Sequence, residues 1–204
     1  ISAITEKLEG YDALLVGCGV DQAPETIEFL KRLLFDDHSR SLLPATIIDA
    51  DGLNFLANQI AWWERLDFQA ILTPHPGEME RLYGGSIREI QHDRINKTTE
   101  AARAWNKVVV LKGAYTVVSD PSGLTMVSPF ANPGLATAGT GDVLSGVIAG
   151  LMAQGLEPAV AASCGVYLHG DAGREITTAL GNIGMAASDL LPQIPMALQR
   201  LTRF

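Results

Sequence analysis

Asn132-Pro-Gly-Leu-Ala-Thr-Ala-Gly-Thr-Gly-Asp142 runs without interruption into Val143-Leu-Ser-Gly-Val-Ile-Ala-Gly-Leu-Met152. Glycines ahead of an apolar helix leave the first-turn N–H groups free of screening side chains, and the helix dipole adds partial positive charge there. Such an end accepts a phosphate. A carboxylate on the same turn, Asp142, can take a proton from a hydroxyl attacking that phosphate. Gly-x-Gly-Asp alone reads equally well as a turn with Asp142 as a plain helix N-cap. The length of the glycine-rich segment favours the phosphate reading.

Upstream of this turn the chain alternates short apolar runs with amphipathic ones. Asp12–Gly17, Thr46–Asp49, Gln69–Leu72 and Lys107–Leu111 read as buried strands. They stop at Gly17-Cys-Gly19, Asp49-Ala-Asp51-Gly52, Thr73-Pro-His-Pro-Gly77 and Lys112-Gly113. A helix is predicted from Pro24, with Ile27, Leu30, Leu33 and Leu34 on one face, and others from Gly52, over Glu78–Tyr83 and from Ser86 to about Asn106. Tyr115–Ser119 and Leu124–Val127 flank Asp120-Pro-Ser-Gly123 as a β-hairpin. Helices at about 142–154, 158–176 and from Ala187 complete the chain. This pattern predicts one α/β domain over residues 1–204, with a parallel sheet, helices on both faces and functional groups at the strands' carboxyl ends.

Composition narrows the function. With 204 residues, 47% hydrophobic and 19% charged, the chain can bury a sizeable core. A net charge of −8 and no basic run argue against nucleic acid as a partner. Small anions remain open, because backbone amides bind them without net positive charge. The longest apolar stretch, Val143–Ala153, is too short to span a bilayer. Cys18 and Cys164 read as reduced thiols of a cytoplasmic protein.

Several strand-end residues carry chemistry or mere geometry. Lys112 could neutralise nucleotide phosphates, or simply close a strand. His75 could touch substrate, or be a turn residue with one ring nitrogen bonded to backbone. Glu78 could order a magnesium-bound water, or cap a helix. Asp49 and Asp51 would point to opposite faces of a continuing strand, so a shared metal is disfavoured, and Asp51 reads as a helix cap. His169 reads as a packing histidine, and Trp62, Trp63 and Trp105 as core.

Taken together, Ile48–Asn54, Leu72–Met79, Val110–Ala114, Asn132–Gly146 and Gly165–Gly170 resemble the ADP-dependent NAD(P)H-hydrate dehydratase family, a branch of the ribokinase-like superfamily. The resemblance spans about Asp12 to Leu191. It implies a three-layer α/β/α fold with a central, mostly parallel sheet, and a cytoplasmic lyase that restores NADHX or NADPHX to NAD(P)H. ADP would be the phosphoryl donor and Mg2+ the cofactor, with AMP and phosphate as further products. It implies Asp142 as catalytic base, and nucleotide binding by Lys112, Gly113, Ala114, Tyr115, Thr116, Gly139, Thr140 and Gly141. Gly19, His75 and Asp142 would bind substrate, and Glu78 would support the metal indirectly. Homo-oligomers, with no membrane and no nucleic acid, are the implied assembly.

Two departures stand out. The family usually reads Gly-Pro-Gly-Leu-Gly where this chain has Gly17-Cys-Gly-Val-Asp21, which puts a carboxylate near the expected dinucleotide phosphates. Family members also begin with a further strand–helix–strand portion, so the chain is expected to be incomplete at its front. The alternatives are a ribokinase-like kinase for a small alcohol such as a vitamin precursor, and a non-catalytic nucleotide-binding fragment or subunit.

Overall fold

The computed structural model describes residues 2–202. Helix α1 (Ser2–Leu8) precedes β1 (Ala13–Val16), and α2 (Pro24–Phe35) and α3 (Asp37–Ser41) lead to β2 (Ala45–Ile48). Next come α4 (Asp51–Ala57), α5 (Trp62–Arg65) and β3 (Ala70–Leu72), then α6 (Pro76–Tyr83), α7 (Ile87–His92), α8 (Arg94–Trp105) and β4 (Val108–Leu111). The hairpin is β5 (Val117–Ser119) and β6 (Thr125–Val127), and a 3-10 turn, Pro133–Ala136, precedes α9 (Thr140–Met152) and α10 (Pro158–Leu180). Two helices end the chain, α11 (Ala187–Leu190) and α12 (Gln193–Thr202).

The sheet order is β1-β2-β3-β4-β5-β6, parallel through β4 and antiparallel across the last two pairings. Each of the first three crossovers steps to the adjacent position in one direction. Right-handed connections then lay all their helices on one face. The alternation of side chains along each strand agrees with this. Val16, Ile48, Leu72, Val109 and Leu111 pack with Leu30, Leu34, Phe55, Trp62, Met79, Ile90 and Trp105 of α2 and α4–α8. Ile47, Ile71, Val108, Val110 and Val118 face the other way, onto Leu144, Ile148 and Met152 of α9 and Ala161, Ala162 and Val166 of α10. The chain thus returns after the hairpin to cover the bare face, which carries the N-terminus of α9 to the carboxyl ends of β1–β4.

The predicted strands and hairpin are present, as are helices on both faces. Two details differ. The single helix expected from Ser86 to Asn106 is two, α7 and α8, broken at Asp93 (φ −134°, ψ 53°). The apolar periodicity continues across the break, so the sequence pattern does not show it. Asp51 is not the cap of α4 but its first residue; the position before it is Ala50, at φ 48° and ψ −117°. The expected core tryptophans hold for Trp62 and Trp105, whose ring centroids lie 5.0 Å apart, while Trp63 is partly exposed.

Candidate functional site

Gly17, at the end of β1, has φ +116°, and a Cβ there would stand 1.9 Å from the carbonyl oxygen of Asp49. No side chain can occupy that position, so glycine is what lets the β1 and β2 ends touch. The contact sets Cys18 over Asp49, its thiol donating to Oδ2 at 4.0 Å. Burial, followed by the charges of Asp49 and Asp142, pushes the Cys18 thiol up to about 12, so it stays protonated and unreactive.

Asp49 is 1% exposed and is the hub of the strand ends. Its Oδ1 accepts from the Ala50 amide at 2.8 Å and from Lys112 Nζ at 2.7 Å, and its Oδ2 accepts from Ser145 Oγ at 2.6 Å. Ser145, on α9, also lies 3.4 Å from Thr73 Oγ1 at the end of β3. One buried carboxylate therefore joins β1, β2, β3, β4 and α9. A buried charge needs this full set of donors to be tolerated.

Lys112 Nζ also lies 3.8 Å from Glu78 Oε2, and 3.4 Å from where a Cβ on Gly141 would be. The ammonium thus sits directly under the first turn of α9. Gly139, at φ +85°, is the residue before that helix, and the amides of Gly141 and Asp142 have no acceptor within it. Asp142 is exposed on the same turn, its carboxylate oxygen and those of Asp49 and Cys18 Sγ all within 4.8 Å of one another.

A cavity of about 350 Å3 opens beside this turn. Lys112, Gly113, Ala114, Thr116, Thr140 and Gly141, all expected to bind nucleotide, line it. Tyr115 and Gly139, expected with them, do not; Tyr115 is 55% exposed. The sequence reading missed Ser128, Phe130, Asn132 and Val166, and gave His169 a packing role only; all five line the cavity. His169 does pack: it is 7% exposed, its Nε2 lies 2.9 Å from the Thr140 carbonyl, and burial pulls its pKa down to about 4.

His75 and Glu78 lie outside the cavity lining and make the plainer contacts foreseen for them. Nδ1 of His75 accepts from the amides of Gly77 (3.0 Å) and Glu78 (3.3 Å), while Glu78 Oε2 accepts from the His75 amide at 2.7 Å. This reciprocal capping box starts α6. It leaves Nε2 of His75 as the protonated nitrogen of a neutral, half-exposed ring, whose pKa is lowered by burial and by Lys112 and Arg81. Burial raises the Glu78 pKa, against the opposing pull of Lys112. Gly19 has φ +67° and open space beside it.

The Asp21 carboxylate is held within its own loop. Asp21 takes a left-handed φ of 65°, which aspartate tolerates, and its Oδ1 accepts from Ala23 N (2.7 Å) and Thr26 Oγ1 (2.9 Å) at the start of α2. Its own amide donates to Asp51 Oδ2 at 3.0 Å. Asp51 therefore fastens the β1 loop to α4, and Asp49 and Asp51 do diverge as expected.

The family model for NAD(P)H-hydrate dehydratase matches residues 1–196. The chain belongs to the NAD(P)H-hydrate dehydratase family. It is 44% identical over 201 residues to a bifunctional NAD(P)H-hydrate repair enzyme of Moorella thermoacetica, covering 98% of this chain and 37% of that one. It is 34% identical to the ADP-dependent (S)-NAD(P)H-hydrate dehydratase of Neisseria meningitidis, over 97% of this chain and 66% of the relative. Among solved structures it is similar to the Bacillus subtilis ADP/ATP-dependent NAD(P)H-hydrate dehydratase co-crystallised with ATP/Mg2+. That match has a TM-score of 0.80 at 30% identity, over 96% of this chain and 69% of that one. Likeness to an Arabidopsis thaliana ribokinase, at TM-score 0.61 and 15% identity over 100% of this chain and 60% of the other, shows the ribokinase-like fold alone. This NAD(P)H-hydrate dehydratase family member spans about a third of the length of its bifunctional relative and about two thirds of the Neisseria one.

Proposed function

We propose that the chain carries the ADP-dependent dehydration of NADHX and NADPHX, returning NAD(P)H with release of AMP and phosphate. The observation that supports this most is the junction of Lys112 and the α9 amides beside the cavity, with Asp142 on the same turn. Family membership adds the reaction class, a carbon–oxygen lyase.

Hydroxide is a poor leaving group, and phosphate is a good one. Asp142 accepts the proton of the ring hydroxyl as its oxygen bonds to the terminal phosphorus of ADP and the bond to AMP breaks. The amides of Gly141 and Asp142, with Lys112, hold the charge that builds on the phosphoryl oxygens. The ring C–O bond then breaks, phosphate leaves with the electron pair, and the ring loses a proton to restore the double bond. The adenine nucleotide occupies the cavity along Lys112–Ala114, Thr116 and Thr140–Gly141, and the exposed edge of His75, together with Gly19, meets the hydrated dinucleotide.

Mg2+ takes most of its ligands from phosphates and water. Glu78 fits that role indirectly, since one of its oxygens is held by the His75 amide and the carboxylate faces Lys112 at 3.8 Å. Bound there, Mg2+ would supply neutralisation of phosphate charge.

The described residues act as one domain in this reading. Among them no helix is long and apolar enough to cross a membrane, and a cytoplasmic setting is part of the proposal. So is a homo-oligomer. The apolar faces of α9 and α10 are largely used against the sheet, so its contacts would fall on the exposed Leu180, Ile183, Leu191 and Met196 instead.

Asp142→Ala tests the mechanism. Turnover should fall by about 10²–10⁴-fold, with ADP affinity within about threefold of the wild type. Unchanged turnover removes Asp142 from the chemistry.

A further inference from the structure

Arg94 is the first residue of α8, reached through the break at Asp93. Its Nη2 donates to the carbonyl oxygens of Leu111 (2.8 Å) and Lys112 (3.3 Å), and its Nη1 donates to Gln91 Oε1 at 2.5 Å. The guanidinium also fills the space where a Gly113 side chain would stand: a Cβ there would lie 3.2 Å from Nη1 and 3.3 Å from Nη2. Gly113 has φ +139°, so glycine and arginine are matched at this turn.

Stability alone does not explain an arginine here. A cation in the first turn of a helix opposes the helix dipole, and α8 has no acidic residue in that turn. Among the described residues no carboxylate pairs with it, burial lowers its pKa, and its Nε is buried without a partner. Each of these disfavours a cation at this place. What the residue provides is a two-point clamp on the backbone that carries Lys112 and Gly113 to the cavity wall.

We propose that Arg94 is a positioning residue for the nucleotide, holding the Lys112–Gly113 turn in the conformation that receives phosphate. This rests on the nucleotide reading of the cavity given above. A neutral residue cannot make charge-assisted bonds to both carbonyls, and lysine keeps the charge but lacks the second nitrogen that ties the guanidinium to Gln91 and fixes its plane against Gly113.

The test measures Mg2+-ADP affinity by calorimetry, unfolding midpoints with and without ADP, and steady-state turnover, for wild type, Arg94→Gln and Arg94→Lys. For R94Q, Kd and KM for ADP should rise about tenfold or more. The kcat should fall by a smaller factor than KM rises, since Lys112 also holds charge in the transition state, and the ADP-induced rise in midpoint should shrink. R94K should fall between R94Q and wild type. An R94Q protein that binds ADP as wild type does overturns the proposal. So do variants with a lowered midpoint but an undiminished ADP-induced rise, which mark a purely structural arginine. Should R94Q fail to fold, an R94K protein with wild-type ADP affinity overturns it equally. Wild-type protein that binds no adenine nucleotide would instead overturn the reading of the cavity itself, and this inference with it.

Discussion

Lys112 lines the cavity with Asp49 buried behind it, accepting one of its three N–H groups. Removing one partner of such a pair strands the other charge in the interior. Lys112→Met should therefore cost about 3 kcal/mol in urea unfolding, the low end for a broken buried pair, because Asp49 keeps its bonds from Ser145 and Ala50. The double variant with Asp49→Asn should lose less than the sum of the two single losses, with a coupling of about 2 kcal/mol. Additive losses would contradict the pairing. The sequence pointed to Lys112 through its position after a strand and before glycine, and to Asp142 through the turn that precedes it. Asp49 was legible only as half of an Asp-Ala-Asp pattern. Its partner lies 63 residues away, a distance over which spacing says nothing.

The helix pair behind the cavity makes a pH-dependent contribution. His169 on α10 contacts the Thr140 carbonyl at the head of α9, and burial holds its pKa at about 4 rather than 6.5. The folded state thus favours the neutral ring. Its contribution is complete above pH 6.5 and is lost as pH falls through the window from 6.5 to about 4. By pH 4 the loss from this group is about 3 kcal/mol. His169→Gln keeps an amide donor for Thr140 without the titration. Denaturant unfolding at pH 7 and pH 4.5 should show a smaller acid loss for the variant than for wild type. Equal losses would contradict the assignment. Elements themselves were largely readable, since β1–β6 end at the glycine, proline and aspartate turns the sequence displays. The break between α7 and α8 was not: no glycine or proline marks it, and the apolar face repeats on both sides of it. That hidden break is what delivers Arg94 to the β4 turn.

Across the whole molecule, the alternating strand and helix pattern foretold a mostly parallel sheet with two covered faces. It did not foretell the strand order, because order is set by pairings between residues far apart in the chain. The order matters for the site. With three successive crossovers on one face, the helices after the hairpin cover the other, and α9 arrives with its glycine-rich N-terminus at the ends of β1–β4. The free first-turn amides of α9, Lys112 and Asp142 are brought together by that return. The most direct measurement incubates the folded protein with NADHX, ADP and Mg2+ and follows all products. NADH absorbance should recover only with ADP, with equal amounts of NADH, AMP and phosphate formed. A stable phosphorylated dinucleotide accumulating in place of NADH, or no ADP-dependent recovery at all, would contradict it.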